Sequence, residues 1–136
     1  MANEAVCIET PKKFARYTIA DGTAIAIGTL MYLSGDMTAL ASSAADQSFV
    51  GIAWEQKTAS DGITEITLAQ DGVWDMKDSG AGSTRGTLLA LGGANLVVTA
   101  DAADILNGAL IGYADETASA SEVIRVRITK FGGASG

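Results

Sequence analysis

The sequence predicts a mainly β protein: a compact antiparallel β-barrel or sandwich built from two related units, with at most short helices in its Ala-rich loops. Three observations support this fold class. Short apolar runs alternate with Gly-, Ser- and Ala-rich stretches, 16 Gly stand against a single Pro, and several phrases recur about 60 residues apart. Glycine-rich turns between short apolar runs are typical of β structure. With 136 residues, 48% of them apolar, the chain is long enough to bury one core.

The repeated phrases define the two units. Gly28-Thr29-Leu30 returns as Gly86-Thr87-Leu88 at an offset of 58, "FVGIAWE" returns as "LIGYADE" at 61, and "ITEITL" returns as "VIRVRI" at 60. The kept order and the drifting offset indicate an internal duplication, because a solenoid needs more copies of a shorter unit. The predicted division is an N-terminal arm over residues 1–19, one β domain over 20–131 with halves at about 20–78 and 79–131, and a flexible tail over 132–136.

The individual strands are predicted from period-two alternation and from turn signals. The clearest strand lies in "EVIRVRITKF". One of its faces is predicted to hold Ile124, Val126, Ile128 and Lys130, and the other Val123, Arg125, Arg127, Thr129 and Phe131. The other predicted strands are "TLMYL", "FVGIAW", "ITEITLA", "GVWDM", "TLLAL", "NLVVT" and "ALIGYA". Asp-Gly pairs at 21–22, 61–62 and 71–72 predict tight turns.

Two Ala-rich stretches interrupt this pattern, "TALASSAADQS" at 38–48 and "TADAADILNG" at 99–108. Each can hold a helical turn. In the second, Asp101 is a suitable N-cap with Asp104 three residues later, and Asn107-Gly108 is a suitable stop. Because the two stretches occupy equivalent places in the two units, we expect equivalent loops with at most a short helix.

The arm over residues 1–19 lies outside the duplication and contains the only Pro. Its Lys12, Lys13 and Arg16 form the densest basic group in a chain of net charge −7, yet they lie among glutamates. Neutralising phosphates supplies most nucleic-acid affinity, so this composition argues against a nucleic-acid partner. We interpret the arm as a segment that docks on another protein.

The residues of the common nucleophilic and phosphate-binding sites are missing from the sequence. The chain has no His and a single cysteine, Cys7, so a thiolate–imidazole pair, a zinc site and an internal disulfide are excluded. Lys57, Lys77 and Lys130 lie in no Ser-x-x-Lys context, and "GAGSTRGT" lacks the spacing and the lysine of a phosphate-binding loop. We therefore predict that the protein is not an enzyme and binds no cofactor.

Carboxylates and membrane signals are equally uninformative. The aspartates that cluster in the sequence are Asp71, Asp75, Asp78, Asp101 and Asp104. They lack the ligand spacing of an EF-hand loop, so we interpret them as turn caps and solubilising groups and predict no metal. The N-terminus lacks a signal-peptide pattern, and no apolar run approaches the roughly 18 residues of a membrane span. We expect synthesis in a cytoplasm and no membrane partner.

The ordered motifs resemble those of a known family. They are "MANEAV" followed by "ETP", then "YTIADGTAIAIGTLMYLSG", "FVGIAWEQKTASDGITEITLAQDGVWDM", "GTLLALGGANLVV" and "ILNGALIGYADETASASEVIRVRI". Over nearly the whole chain this order resembles the small capsid cement, or head decoration, proteins of tailed phages, and the second half also resembles the lambda-type decoration proteins. The resemblance implies a β-rich homotrimer on the outer surface of an expanded capsid, where it would bind the major capsid protein and stabilise its lattice.

The same resemblance implies that the arm contacts the capsid. Its apolar anchors would be Val6, Ile8, Pro11, Phe14 and Tyr17, and its salt-bridging cations Lys12, Lys13 and Arg16. The residue-level reading agrees, because a cement protein needs no active site and many weak contacts add up when copies are tethered.

Two alternatives remain at this stage. The first is a β-sandwich adhesion or carbohydrate-binding module, in which Trp54, Trp74 and Tyr113 would form a stacking platform. The second is an enzyme that uses a pair of carboxylates in one cleft, for which no pairing is evident in the sequence.

Overall fold

The computed structural model describes residues 3–131, which form eleven strands and one short helix; the predicted tail at 132–136 lies outside this range. In chain order the elements are β1 (Val6–Glu9), β2 (Phe14–Thr18), β3 (Leu30–Gly35), β4 (Thr38–Ala41), β5 (Phe49–Ala53), β6 (Glu65–Ala69), β7 (Val73–Asp78), β8 (Leu88–Gly93), β9 (Leu96–Thr99), α1 (Ala102–Leu106), β10 (Leu110–Ala114) and β11 (Val123–Ile128).

The strands close into two barrels with the same connectivity. The first barrel has the order β2-β4-β3-β5-β6, and the second has β7-β9-β8-β10-β11. In each barrel the first strand pairs in parallel with the third and antiparallel with the last, and the remaining neighbours are antiparallel. β1 lies outside both closed sets and extends the second sheet at β7. The predicted duplicated β fold is therefore confirmed.

The repeated Gly-Thr-Leu phrase forms the turn that starts the second strand of each barrel. Gly28 and Gly86 have φ values of 95° and 82°, a region that glycine enters without steric cost. The Gly28 amide donates to the carbonyl of Ala53 at 2.9 Å, and the Gly86 amide donates to that of Ala114 at 2.7 Å. In both barrels the same alanine donates back to the threonine carbonyl. The Gly-Thr-Leu motif thus forms the same hydrogen-bonded turn in both barrels.

One of the predicted offsets is wrong. Thr18 and Lys77 occupy the same place in their barrels, because each makes the parallel contact with the third strand. Their antiparallel partners are Glu65 and Val123, which sets the offset between β6 and β11 at 58 rather than 60. A two-residue slip keeps every side chain of a strand on its own face, so the apolar pattern does not distinguish the two alignments.

Strand pairing also divides the chain differently from the predicted halves. β2 lies inside the predicted arm over residues 1–19, yet it is a full strand of the first barrel. β7 lies inside the predicted first half at 20–78, yet it is the first strand of the second barrel. The chain therefore passes from the first barrel to the second at residues 70–72. Only β1 and the residues on either side of it remain as an arm. The sequences of β2 and β7 share only apolar alternation, which carries too little information to reveal the repeat.

The core consists of two apolar clusters. The smaller one fills the first barrel with Ile19, Ile25, Met31, Ala39, Val50, Ala53, Ile66 and Leu68. The larger one fills the second barrel and extends onto the outer face of the first, where Leu30, Ile52 and Ala69 are fully buried. As a result β5 is buried along its whole length, because one of its faces lines the first barrel and the other meets the second barrel.

The predicted helix is present in one of the two Ala-rich loops. The Asp101 carboxylate accepts the Asp104 amide at 3.0 Å, and the Asp104 carboxylate accepts the Asp101 amide at 2.9 Å, which forms a capping box. Asn107 is the C-cap and Gly108 follows with φ 74°. In the first loop, 38–48, the chain forms β4 and then a turn closed by the Gln47 side chain instead of a helix.

The predicted faces of the last strand hold as far as β11 extends. Ile124, Val126 and Ile128 are buried, and the alternate residues are partly or fully exposed. Beyond the strand end the alternation stops, and Phe131 turns inward against the larger cluster instead of staying on the outer face.

Candidate interaction surfaces

Five of the eight predicted contact residues are exposed, and four of these, Val6, Ile8, Lys12 and Phe14, form no ion pair within the described range. On β1, Val6 is 60% exposed and Ile8 is 41% exposed. Lys12 is exposed in the turn after β1, and Phe14 is 43% exposed at the start of β2. β1 is the edge strand of its sheet and pairs only with β7 among the described strands. An edge strand with exposed β-branched side chains is a surface that a partner can cover.

The other four predicted contact residues have roles within the chain. Pro11 is buried, and Tyr17 packs against the core of the first barrel. The Lys13 ammonium donates to a backbone carbonyl near the end of the described chain at 3.4 Å. Arg16 forms exposed ion pairs with Glu55 at 3.4 Å and with a second glutamate at 3.6 Å. Such pairs contribute little to stability, but they reduce the charge that Arg16 offers to a partner.

Ion pairs hold β1 and its neighbours together on the outer face of the second barrel. Arg125 contacts Asp75 at 3.0 Å, and this hydrogen bond raises the pKa of the arginine. Arg127 contacts both Glu9 of β1 at 3.4 Å and Asp115 at 3.3 Å. β1 is therefore held against the barrel by a salt bridge in addition to its pairing with β7.

The remaining clustered aspartates act as caps of turns. The Asp71 carboxylate accepts the amides of Lys12 and Lys13 at 2.7 and 3.0 Å, and the Asp78 carboxylate accepts the Gly82 amide at 2.7 Å. Over residues 3–131 no group of three or more Cys, Asp or Glu side chains has the geometry to hold a metal ion. Nor does any helix in this range have the length and apolarity to span a membrane.

The three aromatic residues of the carbohydrate alternative do not form a common platform. Trp74 is 1% exposed, and its indole N–H donates to the Asp71 carbonyl at 3.0 Å. Trp54 meets Trp74 edge-on, with ring centroids 6.0 Å apart. Tyr113 lies on the outer face of the second barrel, opposite Arg127. A sugar-stacking site needs an exposed ring face, which Trp74 does not offer.

Lys57, one of the lysines considered as a base, is buried in an ion cluster at one end of the first barrel. Its ammonium lies 2.6 Å from the Asp61 carboxylate and 3.1 Å from that of Asp21, which ties together two of the predicted Asp-Gly turns. Burial acts to lower the pKa of Lys57, but the hydrogen bonds and charges of the two aspartates outweigh it, so the net pKa is raised. The cluster is a structural tie, because a lysine held in its charged form is a poor base.

At the equivalent end of the second barrel an open groove of about 300 Å³ is lined mainly by hydroxyl groups, from Ser83, Thr84, Thr87, Thr99 and Thr117. Ala118 stands where the first barrel has Lys57, since each pairs with the first loop of its barrel. The lining contains no charged side chain. The groove therefore has hydrogen-bonding capacity but no group that selects one ligand chemistry.

Two titratable groups with shifted pKa values lie where the barrels meet. The Lys130 ammonium donates to the carbonyls of Phe49 and Gly108, and its partial burial lowers its pKa to about 8. Burial raises the pKa of Asp104, and a hydrogen bond with Asp46 of the first barrel acts in the same direction. Both groups connect the α1 region of the second barrel to the first barrel.

The central contact between the barrels is made by the turn between β8 and β9. Asn95, with φ 55° and no exposed surface, inserts from this turn into the outer face of the first barrel. The side-chain oxygen of Asn95 accepts a hydrogen bond from the Leu30 amide at 2.8 Å, and the backbone N–H of Asn95 donates to the Ser42 hydroxyl at 3.0 Å. One end of the second barrel thus packs against the side of the first.

Comparison with known proteins finds similarity among solved structures. No protein-family model matches the sequence, and no curated protein matches it. Among solved structures, the chain is similar to the crystal structure of the N base of head fiber gp8.5 of bacteriophage phi29, with a TM-score of 0.55 and 19% sequence identity. The similarity covers 87% of this chain and 96% of that chain. At this identity the match shows a shared fold over nearly the full length of both chains.

Proposed function

We propose that this protein is a structural component of a tailed-phage virion that binds the outer surface of the expanded capsid and stabilises the major capsid protein lattice as a homotrimer, without catalytic activity. The observation that carries the proposal is the fold similarity, over 87% of this chain, to the N base of a phage head fiber. The order of motifs along the sequence, which resembles head decoration proteins, supports the same class independently.

The proposed capsid contact is the exposed part of the N-terminal segment. Val6 and Ile8 project from an edge strand, and Lys12 and Phe14 lie in the adjoining turn and strand. Backbone pairing with β7 keeps β1 in place on the barrel, and the surface ion pair from Glu9 to Arg127 adds little to it. A preordered strand loses less conformational entropy on binding than a disordered arm does.

Trimerisation adds avidity to this contact. The three copies of a trimer each make one weak contact with the capsid lattice. Once the first contact has formed, the second and third form at a high effective concentration, so the trimer binds more tightly than a monomer. The net charge of −7 is compatible with a surface that faces solvent on the outside of the shell.

Co-sedimentation with expanded capsids that lack this protein tests the proposal. Complete burial of a Val or Ile side chain contributes about 1.5–3 kcal/mol, and Val6 and Ile8 are 60% and 41% exposed, so covering both contributes about 1.5 kcal/mol or more. The Val6→Ser, Ile8→Ser double variant should therefore bind each site about tenfold more weakly. Ile63→Ser is the matched control, because Ile63 is 45% exposed on a loop of the first barrel, away from the N-terminal segment. Failure of the wild-type protein to sediment with capsids would refute the function. An equal loss with the Ile63 control would refute the assignment of the contact.

A further inference from the structure

We propose that the turn between β3 and β4 of one copy docks on the outer face of the second barrel of the next copy and so repeats, between chains, the contact that joins the two barrels within one chain. This inference rests on the trimeric part of the proposed function, and it names the surfaces that form the trimer. The occupant of the exposed face is thus a second copy of this chain.

The first of these surfaces is the β3–β4 turn. Met37 occupies the same position there as Asn95 does in the β8–β9 turn, because each precedes the strand that closes its hairpin. The two residues share the left-handed conformation, with φ values of 49° and 55°. Asn95 is completely buried against the first barrel, whereas Met37 is 62% exposed. The duplication has therefore placed the same docking turn on the first barrel, where the chain itself supplies nothing to cover it among the described residues.

The second surface is the face of the second barrel that corresponds to the buried face of the first. Leu30, which receives Asn95, has no exposed surface, and its counterpart Leu88 is 42% exposed. The neighbouring position in the first barrel is Ile52, fully buried, and its counterpart Tyr113 is only half-buried. The two neighbouring apolar positions that are covered in the first barrel are thus open in the second, where Leu88 and Tyr113 occupy them.

The chemistry of the two surfaces also matches. Within the chain the polar Asn95 meets Ser42, whose amide pairs with the Leu30 carbonyl. In the second barrel Ala100 makes the same pairing with the Leu88 carbonyl and therefore stands in the place of Ser42. A polar turn residue faces a polar partner within the chain, and between chains an apolar Met37 would face an apolar Ala100. This paired change is expected if the two residues touch across an interface.

Such a contact joins different surfaces of two copies, so it is heterologous and leads either to a closed ring or to an open filament. Because each copy contributes two barrels, three copies make a ring of six barrels in which contacts within and between chains alternate. The proposed homotrimer is the closed form of this arrangement.

Disulfide trapping tests the interface in the full chain. In a Cys7→Ser background, Met37→Cys combined with Ala100→Cys should form bonds between copies on mild oxidation, because only residues whose Cα atoms lie within about 7 Å can be bridged. Non-reducing electrophoresis should show a covalent dimer and then a trimer. Met37→Cys combined with Ile63→Cys is the control pair, and it should remain monomeric.

A charge exchange provides a second, independent measurement. Met37→Lys and Leu88→Glu should each convert the trimer to monomer in light scattering, and the double variant should recover the trimer. Leu106→Glu is the control, since Leu106 is 87% exposed on α1 and takes no part in the proposed contact. A wild-type trimer that neither crosslinks nor responds to these changes would overturn the interface while leaving the trimer intact. A monomeric wild-type protein that still binds capsids would overturn this inference and the trimer but not the capsid function.

Discussion

Replacing Asn95 should loosen the joint between the barrels by an amount that can be worked from its contacts. In Asn95→Ala the Leu30 amide loses its acceptor, at 2.8 Å in the wild type, inside a fully buried site. An unsatisfied buried amide costs about 1–3 kcal/mol. Alanine at φ 55° adds about 1 kcal/mol, because its Cβ is disfavoured in the left-handed region that Asn tolerates. The expected loss in the free energy of unfolding is therefore about 2–4 kcal/mol.

Urea unfolding at one fixed protein concentration measures this loss, since self-association would otherwise shift the apparent stability. Asn95→Gly should cost about 1 kcal/mol less than Asn95→Ala, because glycine relieves the backbone strain but not the missing acceptor. Ser60→Ala is the control: Ser60 also has a left-handed φ of 60°, but it is exposed, so the change should be within about 0.5 kcal/mol. An Asn95→Ala variant as stable as this control would refute the reasoning.

Three further predictions concern single sites. Gly112→Ala should destabilise the fold by about 3 kcal/mol or more in the same urea assay, because a Cβ there would lie 1.8 Å from a carbonyl oxygen of β11, whereas Gly22→Ala, with open space around it, should change little. The hydrogen bond from Lys57 is the largest cause of the lowered pKa of Asp61, and the Ile63 and Thr58 amides also lower it, so Lys57→Met should remove part of this lowering. The lowered pKa stabilises the fold above about pH 4, and this stabilisation is lost as the pH falls through the folded-state pKa, so the unfolding free energy of the variant should fall less in acid than that of wild type. The pKa of Lys130 is lowered from 10.5 to about 8, so the unfolded chain binds more protons than the folded chain between pH 8 and 10.5. The free energy of unfolding of the wild type should therefore rise over this pH range, and Lys130→Met should abolish the rise. A variant with the same pH profile as wild type would contradict the prediction.

Features with local physical causes were predictable from the sequence. The helix in the second Ala-rich loop was predicted from its Asp101 cap and its Asn107-Gly108 stop, because capping depends on residues a few positions apart. The Gly-Thr-Leu phrase was predicted to open a strand in each unit, and it does so through the same pair of backbone hydrogen bonds. The buried face of β11 followed from its alternation.

Features that depend on distant pairing were not predictable in the same way. Whether β2 is an arm or a barrel strand depends on its partner β6, about 50 residues later in the chain. The prediction of contact residues was partly wrong for the same reason. Pro11 and Tyr17 were predicted as anchors for a partner, but Pro11 is buried and Tyr17 is partly buried within this chain. Composition alone does not distinguish an apolar residue that contacts a partner from one that fills the chain's own core.

The sequence by itself determined that the chain is duplicated and β-rich, because repetition and alternation are properties of the linear chain. Only the tertiary structure decided that each unit closes into its own barrel and that the chain passes from the first barrel to the second at residues 70–72. It also decided that Asn95, at one end of the second barrel, is buried against the side of the first. Those features arise from hydrogen bonds and packing between residues far apart in the chain. They also give the two equivalent hairpins different surroundings: the β8–β9 hairpin is buried at Asn95, and the β3–β4 hairpin exposes Met37.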